Sequence, residues 1–97
     1  MNQQASTATN LANQKKAALL FIKDWPETER IRYTQEGRYS GTGYWSAYAT
    51  VTIAGKEYGE NLGLQVVGGD PLPDPNPQAT PSPVPVIFSD GSSEIVG

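Results

Sequence analysis

Residues 44–66 alternate between apolar and polar side chains on both sides of a short turn that contains glycine. Alternation with a period of two is typical of strands that bury one face. If Gly55 and Lys56 form a two-residue type II′ loop, the apolar positions of both arms fall on one common face. A three-residue loop would set apolar positions against polar ones, so the pattern rejects it. The predicted facing pairs are Ile53 with Tyr58, Val51 with Glu60, Ala49 with Leu62, Ala47 with Leu64, and Trp45 with Val66.

Composition limits the chemistry that such a hairpin can carry. The chain has 97 residues, enough for one domain, and it contains neither cysteine nor histidine. It therefore lacks disulfides, thiolate ligands and the commonest general base. Its net charge of −3 gives no basic footprint for a nucleic-acid backbone. We expect no enzymatic activity, no catalytic residue, no cofactor, no metal and no nucleic-acid partner.

A helix is predicted ahead of the hairpin. The polar residues 1–10 are typical of a flexible tether, and Thr9 or Asn10 is a suitable helix cap. Pro26 disfavours helical geometry at the residue before it, so the helix should end near Asp24 or Trp25 after about fourteen residues. The apolar stripe that indicates this helix consists of Leu11, Ala18, Phe21, Ile22 and Trp25.

Residues 31–35 alternate again and predict a first strand, after which the glycine-rich residues 36–43 turn the chain back. Tyr39 is expected to add a short rung or a bulge there. Three strands with a helix across their apolar face can bury a common core. The predicted fold class is α+β, with one N-terminal helix packed on a three- to four-stranded antiparallel meander sheet.

Proline occupies alternate positions through much of residues 69–85. Such spacing removes ladder donors and favours an extended spacer, or a strap along the domain. Beyond it, Val86, Ile87 and Phe88 predict a short strand that pairs with an exposed edge, and Asp90-Gly91 predicts a turn. The expected organisation is a tether at residues 1–10, a folded α+β domain at 11–68, a proline-rich extended segment at 69–85, and a C-terminal strand and tail at 86–97.

The polar side of the hairpin carries the candidate ligand-binding residues, Tyr44, Tyr48 and Thr50. Tyrosines among hydroxyls form a flat platform suited to a sugar ring or a partner's peptide. Tyrosine and threonine are also favoured strand residues for structural reasons alone, so that alternative stays open.

The acidic residues suggest no active site, but one of them is unusual. The predicted register directs Glu60 toward the buried face, where an unpaired carboxylate is costly. It would then lie at a fraying sheet end, or pair with Arg32 or Arg38. The oxygens of residues 70–76 resemble those of a calcium loop but lack its central glycine and terminal glutamate, so no metal site is expected.

The order of these features resembles the mature part of small lipoproteins of Gram-positive bacteria, many of unknown function. The resemblance rests on the helix sequence KKAALLFIK at residues 15–23, the strand IRYT at 31–34 and the hairpin GYWSAYATVTIAGKEY at 43–58. It implies an extracytoplasmic, membrane-anchored, cell-surface domain whose lipid-bearing cysteine precedes the tether. The proline-rich residues after Gly69 fall outside the resemblance.

Three functions follow from these expectations. The first is a non-enzymatic extracytoplasmic binding or interaction domain whose partner is an unknown protein or a cell-wall glycan, with a possible lipid anchor upstream. The second is a cytosolic or phage-encoded structural or assembly protein. The third is a carbohydrate-binding module. No apolar run approaches the length of about 20 residues that a membrane-spanning helix needs.

Overall fold

The structure is a computed structural model that describes residues 3–39, 41, 43–64, 67–76, 78–80 and 82–96. One helix precedes a series of strands in this part of the chain. The elements are α1 (Gln3–Asp24), β1 (Thr28–Tyr33), β2 (Arg38–Tyr39), β3 (Trp45–Ile53), β4 (Lys56–Gly63), β5 (Val67–Gly69), β6 (Val84–Ile87) and β7 (Ser93–Val96).

The strands form a single seven-stranded sheet in the order β5-β4-β3-β1-β6-β7, with β2 paired to β3 beside this path. The prediction of an α+β fold with an N-terminal helix is confirmed. The prediction of a three- to four-stranded antiparallel meander is wrong, because the C-terminal strands join the same sheet and β6 runs parallel to β1. Val84 and Val86 of β6 are fully buried, so this strand completes the core at the β1 edge.

The C-terminal hairpin has the predicted turn and the predicted docking. Val86 is aligned with Ile31 of β1, so the segment pairs with an exposed edge as expected. The strand begins at Val84 rather than Val86. β7 then returns antiparallel after the Asp90-Gly91 turn, where Gly91 has a φ of 90°. β2 provides the short rung expected around Tyr39.

The central hairpin has the predicted loop length and common face, but a different register. Ile53 is aligned with Lys56 and Ala49 with Glu60, so the loop residues are Ala54 and Gly55 rather than Gly55 and Lys56. Both have positive φ, 52° and 78°, as a type I′ turn requires. The left-handed conformation of Ala54 costs about 1 kcal/mol, and the type I′ turn matches the strand twist. The predicted pairing of Trp45 with Val66 lies outside the described residues.

Helix α1 ends at Asp24, as predicted, but it begins at Gln3, well before the predicted cap. The expectation of a start near Thr9 or Asn10 is therefore wrong. Once a packed helical turn exists, adding polar residues to it costs little, so the helix propagates into the polar tract. Independent motion of residues 1–10 stays a prediction.

The apolar stripe of α1 packs on the same sheet face that receives the apolar side chains of the hairpin. Ile22, Trp45 and Leu62 are all buried in one cluster. The shared inner face is therefore confirmed. The other large contributors are Phe21, Ile31, Tyr33, Val51, Ile53, Val84, Val86 and Phe88.

Two amides of α1 fix the helix to the loops on either side of it. Asn10 Nδ2 donates to the Gly37 carbonyl at 2.7 Å, and the Gly37 N–H donates to Asn10 Oδ1 at 2.9 Å. Gln14, fully buried, donates to Ser89 Oγ at 2.7 Å and accepts the Ser89 N–H at 3.1 Å. The Tyr33 hydroxyl donates to the Gln14 carbonyl at 2.7 Å, and burial raises the pKa of Tyr33.

Residues 70–76, the proline-rich strap, lie along the domain. Trp25 Nε1 donates to the Pro73 carbonyl at 2.9 Å, while the Trp25 ring stacks on Phe21 with centroids 4.9 Å apart. The Asn76 N–H donates to Glu27 Oε2 at 3.1 Å. These contacts favour a strap over a free spacer, because they fix the segment to the end of α1.

Gly37 provides a test of this packing. A methyl group at residue 37 would overlap the indole of Trp45, which is buried, while the Gly37 peptide is held by Asn10. We expect Gly37→Ala to lower the free energy of unfolding by about 2 kcal/mol, as overpacking does. Urea unfolding followed by tryptophan fluorescence measures the change. Gly41→Ala is the control, because no atom lies near that position; equal losses in both variants would contradict the packing described.

Candidate binding face

The sheet has a second face, opposite the one that α1 covers. We call it the outer face. Along β3 its positions are exposed or half-buried and alternate with fully buried ones, and β1 and β6 contribute neighbouring positions in register. Its central members are Arg30, Arg32, Tyr48, Thr50, Thr52, Glu57, Asn61 and Ile87.

One row of residues crosses the middle of the outer face. Arg32 is aligned with Ile87 of β6 on one side and with Thr50 of β3 on the other. Thr50 is in turn aligned with Gly59 of β4. In this row, Arg32 therefore has an isoleucine on one side and a threonine on the other.

Tyr48 lies beside this row with 44% of its surface exposed. Its hydroxyl is over Gly59, where an added methyl group would overlap it. The Gly59 N–H donates to Asp70 Oδ2 at 2.9 Å. Asp70 directly follows β5, so this bond fixes β4 at the same point. Because residue 59 has no side chain, the ring of Tyr48 can lie close to the sheet.

The structure separates the predicted ligand-binding residues into two places. Tyr48 and Thr50 are close together on the outer face. Tyr44 precedes β3 and lines a depression of about 90 Å³ at the end of the sheet. The binding role of all three stays a prediction. The other residues around the depression are Tyr39, Gly43, Trp45 and Leu64.

Sequence reasoning did not find the arginines of the outer face. Arg30, Arg32 and Arg38 are aligned with Thr52, Thr50 and Ser46, respectively, and all three are exposed. These are all the arginines of the chain. Arg32 lies between the apolar residues Ile31 and Tyr33, and this alternation predicts that Arg32 is on the opposite face from them. The register shifts between Thr28 and Arg30, so strict alternation is interrupted there and does not assign Arg30 to a face.

Glu60 is on the inner face, as predicted, with only 1% of its surface exposed. Its expected pairing with Arg32 or Arg38 is wrong, because those side chains belong to the outer face. Nor does it lie at a fraying end, since it is aligned with Ala49 on one side and Gly69 on the other. Glu60 Oε2 has no hydrogen-bond partner among the residues described.

Burial raises the pKa of Glu60 above its usual range, and the negative charge of Asp70 raises it further. A backbone N–H of Asp70 partly offsets both effects by stabilising the carboxylate. The carboxyl of Glu60 is closed to solvent, and Asp70 is the acid beside it. We therefore expect Glu60 to contribute to the pH dependence of stability.

Within the part of the chain that the structure covers, no three acidic, histidine or cysteine side chains come together as a metal site. Nor does any helix there combine the length and apolar character needed to cross a membrane. Comparison of the chain with protein-family models, with curated proteins and with solved structures gave no match.

Glu60 leads to a prediction about pH. The pKa of Glu60 is higher in the folded state than in the unfolded state. As the pH rises above about 4.5, the unfolded state releases the proton of this carboxyl while the folded state still holds it. The free energy of unfolding therefore falls with rising pH until the folded state also loses the proton. We expect Glu60→Gln to flatten that fall and to be more stable than the parent at neutral pH. Urea unfolding at a series of pH values measures it. Glu57→Gln, an exposed neighbour on β4, is the control and should keep the parental slope.

Proposed function

We propose that this chain is a non-enzymatic binding domain that contacts a protein partner through its outer face. One observation carries the proposal. The helix covers one side of the sheet, while the other side carries exposed Arg32 and Tyr48 and half-buried Thr50 at neighbouring positions of β1 and β3.

The side chains on this face suit protein recognition. Tyrosine and arginine are enriched at the centres of protein interfaces, where they contribute much of the binding energy. Tyr48 lies against Gly59, so ordering its ring on binding costs little conformational entropy. The strands beneath are rigid elements, which hold contact residues more precisely than loops do.

We further propose that the domain works outside the cytoplasm as a lipid-anchored surface protein, on the basis of the sequence resemblance. The gene sequence upstream of residue 1 tests this proposal. An apolar leader that ends in a cysteine supports it. A native start at Met1 would instead favour the cytosolic or phage-encoded assembly protein.

A second candidate function is carbohydrate binding at the depression beside β2. Tyr39 and Tyr44 are 64% and 49% exposed there, with Trp45 beneath them. Aromatic rings of this kind stack on sugar rings. Titration with cell-wall glycan fragments, followed by tryptophan fluorescence, tests this function. No change at millimolar glycan would remove it.

Photo-crosslinking tests the protein-binding function directly. We expect benzoylphenylalanine at position 48 to give a discrete crosslinked protein in cells of the source organism. Added wild-type domain should compete this product away, and a Tyr48→Ala domain should compete less well. The same reagent at position 16, exposed on α1, is the matched control. Equal products from both positions, or none from position 48, would contradict the proposed function.

A further inference from the structure

We infer that the partner of the outer face presents an acidic, extended segment of polypeptide in which carboxylates and apolar side chains lie on the same face of the segment. This inference rests on the proposed function and adds the chemical class of the partner.

The distribution of charge is the first argument. The chain has a net charge of −3, yet all three of its arginines are on the outer face. The four lysines are elsewhere: three belong to α1, and Lys56 Nζ is 5.5 Å from the centre of the Tyr58 ring at the hairpin end. Glu57 is on this face as well, and Asp70 Oδ2 lies beside the Tyr48 hydroxyl, 3.5 Å from where a Cβ of Gly59 would be. Three arginines against two carboxylates leave the outer face with a small positive charge on an acidic molecule, and that charge attracts carboxylates to the arginines.

The type of cation is the second argument. Arginine presents a planar fork of donors that matches a carboxylate in a bidentate geometry, which lysine cannot do. Arg30 and Arg32 belong to the same strand and both are exposed. Within an extended peptide, alternate side chains lie on one face, so successive carboxylates can meet successive arginines.

An apolar surface beside the arginines supplies the third argument. Ile87 is aligned with Arg32, and Pro85 of the same strand is aligned with Ile95 of β7. Ile95 is 65% exposed, the most exposed of the large apolar side chains described. A partner that extends from the arginines across β6 meets this surface, so the face it presents carries apolar side chains as well as acidic ones.

Nucleic acid offers phosphates without aliphatic side chains, and anionic lipid holds its apolar chains beneath its charged headgroups rather than beside them. A nucleic-acid surface is typically a continuous basic patch or stripe, whereas here Glu57 shares the face with the arginines. An acidic polypeptide satisfies both the arginines and the apolar surface. The other two ligand classes serve as outcomes of the test.

The experiment is an NMR titration of the ¹⁵N-labelled full chain with a short peptide in which two glutamates and an isoleucine occupy alternate positions, with serine between them, so that all three lie on one face of the extended peptide. We expect shifts centred on Arg32, Thr50 and Ile87, and an affinity that falls as salt is added. Arg32→Glu should weaken binding about tenfold or more, because it places like charges together. Lys16→Glu makes the same change of charge on α1 and should leave the affinity unaltered. Arg32→Lys should recover only part of the loss, since it keeps the charge without the fork.

Several results would overturn the inference. They are absence of binding to the glutamate peptide, equal binding to a peptide with lysine in place of glutamate, and tighter binding to a thymidine oligonucleotide or to phosphatidylglycerol vesicles. Amide dispersion in the spectrum of each variant shows that it is folded.

Photo-crosslinking separates this inference from the proposed function. If the crosslink at position 48 persists unchanged in an Arg32→Glu background, the outer face binds a partner without using this arginine. That result would contradict the preference for an acidic partner and leave the proposed function standing. If the crosslink at position 48 is absent in the wild-type background, the proposed function is contradicted as well.

Discussion

The fold depends on one apolar surface shared by α1 and the central hairpin. A sheet with one apolar side cannot remain stable in water unless another element covers that side. The helix does so with Phe21 and Ile22, and the amides of Asn10 and Gln14 fix it in place by bonding to loops from different parts of the chain. Because α1 covers the inner face, the exposed and half-buried positions of β3 are on the outer face.

Much of this arrangement follows from sequence periodicity. A period of two on β3 and β4 determines which side chains share a face, and it placed Trp45, Leu62 and Glu60 correctly. Periodicity cannot distinguish two registers that differ by two residues, because both keep the same faces. The choice of Ala54-Gly55 as the loop depends on backbone twist, which the apolar pattern does not report.

The features that sequence reasoning missed depend on contacts distant in the chain. The parallel pairing of β6 with β1 joins Val86 to Ile31 across the proline-rich segment, and no local pattern specifies it. Gln14 is polar, so apolar periodicity ignored it, although its partner Ser89 makes it a buried anchor. For the candidate site, Tyr48 and Thr50 were predictable from alternation. Alternation also separates Arg32 from the buried residues of β1, but only the pairing of β1 and β2 with β3 places all three arginines on the same face as Tyr48.

The central claim is that alternate residues of β3 face a closed core and an open surface. Because the chain has no cysteine, single cysteines can report this directly. Thiol labelling of folded Ala47→Cys and Tyr48→Cys compares a position that is 2% exposed with one that is 44% exposed. The account predicts rapid labelling at position 48 and strong protection at position 47 that disappears in denaturant. Equal labelling rates at both positions under native conditions would contradict it.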